Sequence, residues 1–204
     1  MKIITMSDIH GDFETFDKAL QIVKASDAEV LAINGNLTGR VFPEDNDRKH
    51  CIDTTKILLE ILPQFKGKIN SIHDVADYIR KDPKAPDELR KRAENYLNLE
   101  MKAGENMIAQ YREFKQRFDG LSQKVVLVPG NWDGRCIDDV LARENLHMKY
   151  PEQINGIGFS GYGSAPEQSI EVPMDLTVPF NSDEAFSHLS KHDEAEVVIT
   201  HSIP

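Results

Sequence analysis

The chain has 204 residues, with 34 acidic against 24 basic side chains and a formal net charge of -10. That balance excludes broad nucleic-acid binding, which needs a basic face to neutralise phosphates, while the length suits one domain with a sizeable core. The two cysteines, Cys51 and Cys136, are too few for a disulfide framework and too irregular for a zinc knuckle, so they read as buried thiols in a reducing compartment.

The apolar run Lys2 to Met6 predicts a strand buried on both faces. It has no small-residue cleavage site, so it is a strand and not a signal peptide. No apolar stretch reaches membrane-spanning length, and a cytoplasmic protein without membrane contact is expected. The polar loop Ser7 to Asp12 follows, then helical periodicity from Phe13 to Lys24 through Phe16, Ala19, Leu20 and Val23. A second strand, Glu29 to Ile33, stops at Asn34-Gly35-Asn36-Leu37-Thr38-Gly39. This is a βαβ unit, whose parallel strands place both polar loops on one edge of the sheet.

From about 43 to 118 the pattern is helical: Ile52 to Leu62, Ile72 to Arg80 and Pro86 to Phe118, punctuated by Pro63, Pro83 and Pro86. Because strands resume afterwards, the segment reads as a helical insertion in a single domain spanning 1–204. Its charge runs, Arg80-Lys81-Asp82 and Arg90-Lys91-Arg92, read as solvated helix faces. Core strands return at Lys124 to Val128, ending in Pro129-Gly130-Asn131-Trp132-Asp133-Gly134. A helix over Ile137 to Arg143 and short strands near His147 to Lys149 and Ile154 to Ser160 follow. A surface loop is expected from Gly161 to Pro179, a helix from Asp183 to Lys191, and a last buried strand from Glu196 to Thr200, ending at His201.

Four apolar strands thus end in polar loops that hold Asp8, His10, Asn36, Asn131, Asp133 and His201. In open α/β sheets ligands bind outside the carboxyl ends of the strands, so residues remote in sequence converge there. Carboxylate, imidazole and amide oxygen, without thiolate, form a donor set suited to Mn, Fe, Zn or Ni.

Asp8-x-His10, Gly35-Asn36, Gly130-Asn131-x-Asp133 and a strand ending in His201, in this order across nearly the whole chain, resemble the motifs of calcineurin-like metallophosphoesterases. The resemblance implies an α/β fold, a metallophosphoesterase-like two-sheet sandwich flanked by helices, in which two divalent metal ions hydrolyse a phosphomonoester or phosphodiester. By that likeness Asp8 and His10 bind one metal, Asn131 and His201 the other, and position 36 bridges them. Asn131 and Asp133 are then the catalytic candidates, Asn131 positioning the phosphate and Asp133 orienting its loop. Trp132, Arg135 and Arg40 are the candidate contacts for a small phosphate-ester substrate.

Three departures from the pattern bear on activity. Position 36 is normally an aspartate, and Asn36 offers one neutral oxygen where a carboxylate would hold two cations. Trp132 stands where the family often has a histidine, and an indole cannot act as a general acid. The family continues past His201 to a Gly-His-x-His motif, whereas this sequence stops at Pro204, so the last strands of the fold are expected to be missing. Two readings stay open: a phosphoesterase with impaired activity, or a non-catalytic scaffold on the same fold. The scaffold would bind a protein partner, or a second copy, through the helical insertion. His188 and His192 have the i, i+4 spacing of a helical metal pair but no third ligand nearby, and solvent exposure is expected of them. His50, His73 and His147 have no supporting context.

Overall fold

A computed structural model of the chain describes residues 1–65, 67–164 and 172–201. The described residues divide into two compact units. The first comprises 1–40, 107–164 and 178–201, and the second 41–106 with 172–177. The helical segment expected over 43–118 therefore maps onto the second unit as far as Asn106, and onto the first beyond it.

The first unit opens with β1 (Ile3–Met6), α1 (Phe13–Ala25) and β2 (Val30–Asn34). Asp12 caps α1 by accepting from the Thr15 amide at 3.0 Å, which satisfies one of the orphan donors of the first turn. In the second unit, α2 (Asp45–Ile61) and α3 (Ile72–Lys81) precede α4 (Asp87–Asp119), a single helix that runs on into the first unit. The first unit resumes with β3 (Lys124–Val128), the short α5 (Asp138–Leu141), β4 (Glu152–Ile154), β5 (Ile157–Tyr162), α6 (Ser182–Lys191) and β6 (Val197–Thr200).

Strands β1, β2 and β3 form a parallel sheet in that order, and β4, β5 and β6 a second sheet. There β4 is antiparallel and β6 parallel to β5. The architecture is α/β with two small sheets. Alternation along the strands gives them a shared core: Val30, Ala32, Val126 and Val128 from the first sheet, Ile154, Phe159 and Ile199 from the second, with Leu146. On α1, Phe16 lies at 5.2 Å from Phe114 and 6.1 Å from Phe118, the two rings of α4 that anchor it.

Several expectations need correction. Strand β1 is not buried on both faces: Ile3 is 37% exposed, because β1 lies at the edge of its sheet with β2 on one side. Strand β6 is likewise an edge, and only Ile199 is buried, with Val198 half exposed. The stretch His147 to Lys149 is not a strand. It makes one isolated bridge, His147 to Gly161, and Met148 takes a left-handed φ of 57° that breaks extended pairing. In the expected surface loop, Val172 and Val178 are buried, Tyr162 belongs to β5 and Met174–Leu176 is a turn of 3-10 helix; 165–171 lie outside the described residues.

In the second unit, Ile72, Val75, Ala76 and Ile79 of α3 recur at helical spacing and are all buried. The charge runs behave as solvated faces, with Arg80 paired to Asp77 and Arg92 to Glu88 within their own helices. No helix among the described residues is long and apolar enough to cross a membrane.

Candidate functional site

Parallel pairing of β1, β2 and β3 brings three loops to the carboxyl edge of the first sheet, all within the first unit. The loops are stitched to one another by backbone bonds. Asp8 N donates to Gly35 O at 3.2 Å, His10 N to Asn36 O at 2.9 Å and Gly11 N to Leu37 O at 2.8 Å. The ladder of the sheet thereby continues past the strands, but through unusual dihedrals. Asp8, His10 and Asn36 have φ of 54°, 50° and 54°, and they are three of the six described non-glycine residues in the left-handed region. Asp, Asn and His tolerate that region better than other side chains, and backbone held there clusters at binding sites.

The close approach between loops dictates two glycines. At Gly39 an added Cβ would lie 1.8 Å from His10 O, and at Gly35, where φ is +79°, it would lie 2.5 Å from His201 Nδ1. Asp8 and His10 face solvent, with side chains 53% and 39% exposed and His10 Nε2 3.6 Å from Asp8 Oδ1. Burial works to raise the Asp8 pKa. Hydrogen bonds from Asn36 and Ser7 and the nearby His201 and His10 outweigh it, and hold the carboxyl below its ordinary value.

Asn36 is fully engaged. Its Nδ2 donates to Asp8 Oδ1 at 3.0 Å and its Oδ1 accepts from Trp132 N at 3.1 Å. The side-chain N–H that faces Asp8 stands where a shared cation would need an oxygen. Two ions bridged by position 36 therefore do not fit these residues. The described residues hold no cluster of three or more His, Cys, Asp or Glu side chains arranged for a metal.

His201 is different. Its Nδ1 is 2.6 Å from Asn34 O, a carbonyl that can only accept, so Nδ1 carries the proton and Nε2 keeps a bare lone pair. That Nε2 is shut from water and has no hydrogen-bond partner among the described residues. A backbone carbonyl that fixes the tautomer of an imidazole in this way is the usual support of a metal-binding histidine. Asp8, His10 and His201 thus share this edge of the sheet but are not preassembled as a three-ligand metal group.

Asp133 is completely buried and is not available to a ligand. Its carboxylate accepts from Leu37 N, Thr38 N, Gly130 N and Tyr111 Oη at 2.8 to 3.2 Å. It clamps the second loop to the third. Asn131 is buried in the same loop, Trp132 is half buried with its ring edge-on to His10 at 5.2 Å, and Arg40 and Arg135 are exposed at the loop ends. Sequence reasoning missed the residues that brace the loops. Thr38 Oγ1 donates to Trp132 O at 2.8 Å, Gln110 Oε1 accepts from Gly39 N at 2.9 Å, and Tyr111 Oη accepts from Gly134 N at 2.8 Å. Gln110 and Tyr111 come from α4, where only a helical period was visible and no polar role could be read.

Neither family models nor curated proteins match the chain. A solved crystal structure is similar, with a TM-score of 0.56 at 15% identity, over 98% of this chain and 66% of that one. The chain thus spans just under two thirds of that protein's length, and at this identity the likeness concerns the fold alone.

Proposed function

We propose that the loop cluster of the first unit is a phosphoesterase site. It would use one divalent cation, around which Asp8, His10 and His201 would close, to hydrolyse a small phosphomonoester or phosphodiester. The observation that carries this reading is the His201 ring, with Nδ1 on the Asn34 carbonyl and a buried, unpartnered Nε2. A cation there would supply Lewis-acid polarisation of a phosphoryl oxygen and a water acidic enough to ionise near neutral pH.

The chain's own groups do the rest. Asp8, held below its ordinary range, stays ionised and supplies the formal negative charge of the cluster. Asn131 offers an amide to orient a phosphate oxygen. Trp132 covers His10 and gives the site an apolar wall. Arg40 and Arg135 lie at the loop ends as phosphate contacts. Asp133 holds the loops in register and touches no substrate. The test is turnover of an aryl phosphodiester with Mn(II), where Asp8→Ala, which removes a ligand of the cation itself, should abolish the metal-dependent rate. Equal rates in the two proteins would sink the proposal.

The committed amide of Asn36 favours a second reading, a scaffold on the same fold that binds a protein partner. Under it, purified chain carries no cation at the loops and turns over no phosphoester with or without Asn36→Asp.

A further inference from the structure

The helix α6 carries a second pair of histidines that the loop cluster does not use. His188 and His192 are one turn apart, and their ring centroids lie 4.9 Å from each other. Exposure was expected of both, yet His188 is only 8% exposed and the His192 side chain 13%. His188 Nε2 is shut from water with no hydrogen-bond partner among the described residues, an arrangement that costs free energy unless something occupies the lone pair or accepts the proton. His192 Nδ1 lies 3.3 Å from Glu194 Oε1. A carboxylate accepts there, so Nδ1 carries the proton and Nε2 is left bare.

Three further features favour a cation at this pair. Histidine i, i+4 on a helix presents two imidazoles to one ion. The Glu194 carboxylate behind His192 is the outer-shell partner that orients and strengthens a ligating imidazole. His192 is also the C-cap of α6, at the negative end of the helix dipole, where positive charge is favoured.

The neighbourhood limits the ligand set. His147 interacts electrostatically with His188, but its Nδ1 accepts from Gly163 N at 3.0 Å, so its other nitrogen is an N–H and not a ligand. The carboxylate of Glu184, one turn before His188, is shared with the Tyr162 hydroxyl at 3.2 Å. We infer that His188 and His192 form a two-imidazole site for a divalent transition ion, Zn(II), Ni(II) or Cu(II), completed by water. Neutral imidazole prefers these ions to Mn(II) or Mg(II), so Mn(II) would distinguish the proposed phosphoesterase centre, which has a carboxylate, from this site.

The experiment is a Zn(II) titration of the labelled chain, followed through its imidazole nitrogen resonances, in wild type, Asp8→Ala and His192→Gln. The expected result is a joint, saturable shift of the His188 and His192 Nε2 signals that is retained in Asp8→Ala. In His192→Gln, apparent affinity should fall by more than about tenfold, since half the imidazole ligands are gone. His192 sits at the helix end, so that variant keeps the fold where a change at buried His188 would not. Unmoved His188 and His192 signals at millimolar Zn(II), or undiminished binding in His192→Gln, would overturn the inference.

Discussion

At the scale of single residues, Asn36 and Asp133 divide the work of the loops. Asn36 puts an N–H against Asp8 where a carboxylate would put negative charge. Asn36→Asp should therefore destabilise the metal-free protein by about 1–3 kcal/mol, the cost of replacing a hydrogen bond by an unpaired contact. Mn(II) should restore the loss, because a second carboxylate beside Asp8 adds a charged oxygen ligand for the cation. Thermal melts with chelator and with Mn(II) check this, and a variant indifferent to Mn(II) would contradict it. Asp133→Ala has another signature. It strands the backbone donors of Leu37, Thr38 and Gly130 in a buried place, and should cost at least about 3 kcal/mol. For a chain of this size that corresponds to a fall in Tm of roughly 6–12 °C.

At the scale of elements, the second unit carries a pH-sensitive contact. His73 of α3 and buried Glu100 of α4 lie 2.6 Å apart, and His73 N donates to Asp175 at 2.5 Å. The hydrogen bond to Glu100 raises the His73 pKa above its ordinary value. Burial raises Glu100, although His73 pulls it back. For His73 the stabilisation is fully present below an unfolded pKa of about 6.5 and is lost as pH rises through the higher folded value. Glu100 has the same sign, since the folded chain holds its proton more tightly. Urea midpoints should thus fall from pH 6 to pH 9 in wild type, and that fall should vanish only when both groups are removed, in His73→Ala/Glu100→Gln. The close crossing of the first two loops makes its own prediction. Gly39→Ala pushes a methyl into His10 O and should cost about 3 kcal/mol, the upper end of the range for overpacking, measured by denaturant unfolding.

Element by element, legibility followed the type of signal. Helices α3 and α4 were readable because periodic apolar positions mark a buried stripe whatever covers it. The parallel pairing of β1 and β2 was readable from strand, helix, strand order. Burial of β1 and β6 was not, because an apolar run reads alike in the middle of a sheet and at its edge. Nor was the break at Met148, where an ordinary side chain sits in a left-handed turn. The loop residues Asp8, His10, Asn36 and Asn131 were visible as polar breaks after apolar strands. Their partners Gln110 and Tyr111 were invisible, because a helical face shows which side is buried and not what the buried polar atoms touch.

For the molecule as a whole, a formal charge of -10 means that the proposed site would have to meet a phosphate's charge locally rather than by a basic surface. The central claim is that Asp8, His10 and His201 together meet it through one cation. Mn(II), which a two-imidazole pair on α6 would bind poorly, is the right probe. Mn(II) bound per chain should be measured by equilibrium dialysis, alongside aryl phosphodiester turnover, in wild type, Asp8→Ala and His201→Gln. One ion in wild type, lost in both variants together with activity, is the predicted result. Binding or turnover that is absent from wild type, or equal in all three, would contradict it.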